Sequence, residues 1–259
     1  MKKKRRKTMM FFYVVLLILL ILSAVKVVSY FLESYESKNQ AQTLSDKVTI
    51  WDDTTTSEDT NKDTETDCDE AAPIPESIDF DKLLQENKDV IAWLYCPDTS
   101  INYPVVQAKD NDYYLHLGLD REYQREGTLF AECKNARDFT DWNTIIYGHN
   151  MKNGTMFHDL IEYNDESFYD EHPVMYLYVP GVRYQIELIA GAVIDTDSDI
   201  YSIQKNSEGR DEILEIIMKK STFTSDVEVR EDDKLITLST CSYEYENARY
   251  VVVGRLTEW

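Results

Sequence analysis

The sequence predicts a β-dominated domain, a closed barrel or a sandwich of about seven or eight short strands with helices around it. Three observations predict it. Short runs rich in Val, Ile, Tyr and Thr recur through the second half of the chain, broken by Gly, Pro, Asn and Asp. Helical periodicity is confined to a few segments between them. An unbroken apolar run near the N-terminus stands apart from this pattern and reads as a membrane span.

Taken in order, MKKKRRKT opens the chain as a basic tail over residues 1–8, and MMFFYVVLLILLILSAVKVVSYFL follows from Met9 to Leu32 with Lys26 as its one charge. As a helix this stretch extends roughly 36 Å, enough to cross a bilayer. A cleaved signal peptide is the rival reading, but Leu22 occupies the place before Ala24 where cleavage wants a small residue. An uncleaved signal anchor is therefore expected, its basic flank in the cytoplasm and the remainder of the chain outside the cell. Residues 33–76 are Thr-, Asp- and Glu-rich and lack periodic apolar positions, so they read as a disordered acidic spacer. The folded domain is expected over 77–259. It opens on a helix across Ser77–Leu94, with Ser77 or Asp79 as N-cap and Pro97 closing the segment. The strands expected after it are INYPVVQ, GTLFAE, NTIIYGHN, VMYLYV, VRYQIELIAGAVI, KLITLSTC and ARYVVVGRL. Shorter helices fall around Asp112–Leu117, Thr155–Ile161 and Glu208–Lys220, the last with Ile213, Leu214, Ile216, Ile217 and Met218 as its apolar face.

A net charge of -21 argues against nucleic acid as a partner. The four cysteines, Cys68, Cys96, Cys133 and Cys241, are too irregular for a disulfide framework, although a Cys96–Cys133 bridge stays open. No metal-ligand spacing occurs among cysteines or histidines, and neither a metal nor a cofactor is expected.

The chemistry is sought at strand ends. Cys241 ends KLITLSTC, His149 stands where NTIIYGHN breaks at Gly148, and Arg249 opens the last strand. In a barrel or sandwich such ends meet on one rim. A thiol needs an imidazole or positive charge nearby to supply thiolate, and acyl transfer needs a donor for the oxyanion. The ordinary alternatives are a buried structural thiol and a surface ion pair of Arg249 with Glu244 or Glu246. Ser239, one pleat before Cys241, shares its strand face; Thr240 and Tyr147 are weaker substrate-binding candidates.

TLSTC at Thr237–Cys241, Arg249 before YVVVGRL, and YGHN at Tyr147–Asn150 resemble the signature segments of sortases, the cysteine transpeptidases of Gram-positive cell surfaces. NKDVIAWLYCPDTSINYPVVQAKDNDYYL and GTLF are similar to class B sortases in particular. The resemblance implies a closed sortase-type β-barrel of about eight strands with an N-terminal helix and peripheral helices. It implies Cys241 as nucleophile, His149 as proton carrier and Arg249 as oxyanion stabiliser. The partners implied are surface proteins bearing a C-terminal sorting motif, cleaved after Thr, and a peptidoglycan precursor or lipid-linked amine acceptor at the cell membrane. Ser242 follows the cysteine where some class B members carry an aspartate, so no carboxylate is assigned to a triad. The segment Asp195–Arg230 is expected to set specificity. The rival readings are a pilin-polymerising sortase with a lysine acceptor and a non-catalytic tethered binding domain.

Overall fold

A computed structural model describes residues 2–51, 72–201 and 207–259. They separate into two compact units, 1–43 and 44–259.

The first unit is most of α1 (Lys2–Val48), a single helix. Its stretch from Met9 is long and apolar enough to cross a membrane. The expected disordered spacer does not hold for its first part: the helix continues through residues 33–48. Gln, Ala, Leu, Glu and Lys are good helix formers, and a helix already nucleated adds residues cheaply. Leu44 and Val48, four residues apart, give its last turn one apolar face, which packs with Trp93, Leu83 and Ile78 inside the second unit. β1 (Thr49–Ile50) then pairs antiparallel with β2 (Ser77–Ile78). Pro73 and Pro75 accept hydrogen bonds from Tyr95 and Tyr178. The core of the acidic segment, 52–71 with Cys68, lies outside the described residues.

α2 (Phe80–Glu86) is capped by Asp79, whose side chain accepts from the Lys82 amide. The helix expected across Ser77–Leu94 is shorter than that, because β3 (Val90–Tyr95) is a strand. Ile91 and Leu94 enter the barrel interior, whereas Val90, Trp93 and Tyr95 are covered by the N-terminal segments. A strand buried on both faces reads as a continuous apolar run, which spacing alone does not separate from a helix.

The other barrel strands fall where the sequence puts them: β4 (Asn102–Val106), β5 (Leu129–Ala131), β6 (Asn143–Tyr147), β7 (Val174–Val179), β8 (Val182–Asp195), β9 (Lys234–Cys241) and β10 (Ala248–Glu258). The eight close in the order β10-β8-β7-β3-β4-β5-β6-β9. Most pairs are antiparallel, but β4 with β5 and β6 with β9 run parallel. That second parallel pair matters most for the site, because it brings two strand C-termini to the same rim. Two of the expected short helices are 3-10 helices, a single turn at Tyr113–His116 and a longer one at His158–Asn164. α3 (Glu166–Glu171) follows the second. α4 (Ser207–Lys219) buries Ile213 and Ile217 against β8 and β10. Its apolar face is narrower than expected, since Met218 is exposed.

Cys96 and Cys133 are free thiols, so the bridge between them is not formed. Cys96 is buried beside the Tyr163 hydroxyl, and the Cys133 thiol donates to Glu132.

Candidate active site

The parallel register of β6 and β9 pairs Tyr147 with Ser239. The zipper continues past the strand: the Gly148 amide donates to Ser239 O (3.1 Å) and the Thr240 hydroxyl to Gly148 O (2.8 Å). Two residues further along the same faces come His149 and Cys241. On the other side of β9, Cys241 lies directly opposite Arg249 of β10. Nucleophile, base and cation candidates are thus three neighbours across three adjacent strands.

A Cβ on Gly148 would sit 2.4 Å from Leu129 Cδ2 and 2.7 Å from Phe157 Cδ2, so only glycine passes between those side chains just ahead of His149. Beyond it, Asn150 binds in two directions. Its Nδ2 donates to Cys241 O (3.1 Å), and its Oδ1 accepts from His158 Nδ1 (2.9 Å). The histidine loop and the cysteine strand end are therefore fixed to each other by backbone and side-chain bonds.

All six residues singled out in the sequence line one cleft of about 360 Å³: Cys241, His149, Arg249, Ser239, Thr240 and Tyr147. The His149 ring is half-buried, and its Nε2 lies 2.9 Å from the Leu115 carbonyl. A carbonyl only accepts, so Nε2 carries a hydrogen and Nδ1 is the nitrogen left to exchange one. The ring stacks on His116 at 5.4 Å between centroids. Burial pushes the His149 pKa below its usual value and the neighbouring His116 adds to this, while the Leu115 carbonyl and Glu126 oppose it.

Arg249 donates to Ala248 O (3.0 Å) and, among the described residues, forms no ion pair. Its surface pairing with Glu244 or Glu246 is thus not realised, and the cleft keeps an uncompensated cation beside Cys241. The smaller candidates already have partners. Ser239 shares a hydrogen bond with the Tyr201 hydroxyl (2.8 Å), Thr240 is engaged by Gly148, and Tyr147 donates to Glu132 (3.2 Å). Burial pushes the Tyr201 phenol up to about 12, with Ser239 and Arg249 pulling the other way.

Sequence reading missed the opposite wall. Tyr201, stacked on Tyr147 at 6.1 Å, and Thr196 reach the cleft from the segment expected to set specificity. Asn111, Asp112 and Leu115 close it from the 3-10 turn before β5. Leu115 takes part through its carbonyl, which no side-chain pattern signals. Tyr201 is one of many tyrosines in the chain and carries no spacing of its own.

Comparison with protein-family models matches the Sortase domain over residues 94–257. Sortase B of Listeria monocytogenes is 38% identical over 231 residues, covering 87% of this chain and 88% of that protein. The Staphylococcus aureus sortase B-substrate complex superposes with a TM-score of 0.65 at 34% identity, covering 70% of this chain and 85% of its own. A crystal structure of sortase B complexed with triglycine gives 0.66 at 33% identity, covering 70% and 86%.

Proposed function

The chain belongs to the sortase family of cysteine transpeptidases, and from that premise we propose that it is a membrane-anchored class B enzyme that cleaves a C-terminal sorting motif after threonine and joins the protein to a peptidoglycan amine. One observation carries this reading: Cys241, His149 and Arg249 stand on adjacent strand ends around one cleft. The relatives solved with a substrate and with triglycine support a peptide donor and an amine acceptor.

In the first half-reaction the Cys241 thiolate attacks the threonine carbonyl. The guanidinium of Arg249, held by the Ala248 carbonyl and free of carboxylates, stabilises the oxyanion. His149 delivers a proton from Nδ1 to the leaving amine, and the collapse leaves a thioacyl enzyme. In the second half the incoming amine attacks that thioester, the neutral imidazole takes up its proton, and Cys241 leaves as thiolate. Substrate binding is assigned to Tyr147, which is only partly buried, while Ser239 and Thr240, each 2% exposed with engaged hydroxyls, shape the cleft floor. The α1 helix anchors the enzyme with its basic end in the cytoplasm and the barrel outside, where lipid-linked wall precursor and exported substrates meet.

The test is turnover of a library of fluorogenic sorting peptides by the full-length chain in detergent, with triglycine or a lysine side chain as acceptor. C241A is expected to abolish turnover, and H149A and R249A to lower it by roughly two to four orders of magnitude with melting unchanged. Turnover that survives C241A removes the nucleophile. Transfer to lysine in preference to triglycine selects the pilin-polymerising reading, and no turnover on any peptide the tethered binding domain.

A further inference from the structure

Among the described residues lining the cleft the carboxylate is Asp112, and on the cysteine side Ser242 follows Cys241. A second carboxylate is tied to the histidine loop. Glu126 is 3% exposed, the most buried acidic residue among the described residues. Its Oε1 accepts from Asn153 Nδ2 (3.4 Å), four residues beyond His149 in the same loop. The next residue, Gly127, has φ +59, and a Cβ there would stand 2.5 Å from the carbonyl oxygen of Leu115. That oxygen is the one that receives His149 Nε2–H. The Gln124 amide donates to His116 O and the Thr128 amide to Tyr114 O, so the whole Gln124–Thr128 segment is clamped to the turn that grips the imidazole.

We propose that Glu126 is a positioning residue for His149, tying the histidine loop to the Leu115 turn and supplying negative charge to the imidazolium. The proposal rests on the transpeptidase reading, in which His149 must carry a proton before the first half-reaction. The charged and titratable groups near His149 among the described residues are His116, stacked on its ring, Glu126, bonded to its loop, and Asp112, Cys241 and Arg249, which line the same cleft. The neighbouring His116 opposes protonation. Burial opposes it as well, and the Leu115 carbonyl and, after it, Glu126 work against both. Buried charge is costly in an apolar setting, and Tyr103 also lies close to this carboxylate.

The experiment follows the proton on His149. The chain has only four histidines, so the full-length protein in detergent, with 13C label at the imidazole Cε1 and the C241A substitution to stop turnover, gives four resonances assignable by single replacement. E126Q keeps an oxygen for Asn153 and removes the charge. The expected result is a His149 midpoint lower by roughly half a pH unit or more, with those of His158 and His172 unchanged. With Cys241 restored, E126Q lowers kcat/KM for the sorting peptide roughly three- to ten-fold near neutral pH and leaves KM close to the parent's. A His149 midpoint equal to the parent's overturns the proposal. Should E126Q not fold, E126D, which withdraws the charge by one methylene, must also give a midpoint below the parent's, and an unmoved one overturns it equally. The titration reads His149 whatever reaction the cleft performs, so absent turnover strikes the functional reading and an unmoved midpoint strikes this one.

Discussion

His149 couples the site to the stability of the barrel. Its pKa in the folded chain is held below the ordinary 6.5, chiefly by burial. As pH falls, the unfolded chain takes up this proton first, so the folded state loses stability from about pH 6.5 down to the depressed folded value. Above that window the residue adds no pH dependence. The carboxylates with lowered pKa, Asp79, Asp138, Asp165 and Glu187, lose their contributions only at more acidic pH. Melting temperature between pH 7.5 and 5.5 is therefore expected to fall more steeply in the parent than in H149Q. Equal slopes would show that His149 titrates in the fold as it does in water. At this scale the chemistry was legible because reactive side chains sit at the breaks of strands, where Gly148 and Ser242 interrupt apolar runs. His116 and Leu115 were not legible: one is a histidine on a 3-10 turn with no marked spacing, the other acts through its backbone.

Among the elements, seven of the eight barrel strands follow from alternation and from turn residues, and β3 is the exception. VIAWLY has no polar position because barrel interior and N-terminal cover bury its two faces, and period-two alternation vanishes when both faces are apolar. The site depends on an element that periodicity does not mark at all, the turn Tyr113–His116 braced by Gly127. At φ +59 an alanine there is strained by roughly 1–2 kcal/mol. Its Cβ also collides with the Tyr114 and Leu115 carbonyls, each 2.5 Å away, and backbone yields less readily than a side-chain tip. G127A is expected to lower the melting temperature by roughly 5 °C and to reduce turnover at a temperature where the variant is still folded. Circular dichroism and the peptide assay read the two effects separately. An alanine variant that melts with the parent would mean that the Leu115 turn moves freely, and the grip on His149 would then not be rigid.

On the scale of the whole molecule, the folded unit begins before the point where the barrel pattern begins. Reading the spacer by composition places its end at Glu76, yet Leu44–Ile50 and 72–76 are part of the barrel's cover. Composition averages over the acidic stretch and so hides two apolar residues with partners far along the chain. Val48 is 1% exposed, and burial of one such side chain contributes about 1.5–3 kcal/mol. Around it the Asp79 amide donates to Val48 O (2.8 Å), the Glu76 amide to Ile50 O (2.9 Å) and Asn102 Nδ2 to Ser45 Oγ (2.8 Å). A chain starting at Ser77 gives up all of these contacts and bares Ile78 and Trp93. Compared with a chain starting at Leu44, it is expected to melt roughly 10 °C lower. V48D in the full-length chain separates this effect from anchoring. It places a charge in the same apolar seat but leaves the Met9–Leu32 run intact, so melting falls while the protein still sediments with membranes. If V48D melted with the parent, Leu44–Ile50 would be a passive extension of the apolar helix and the barrel would be self-sufficient from Ser77.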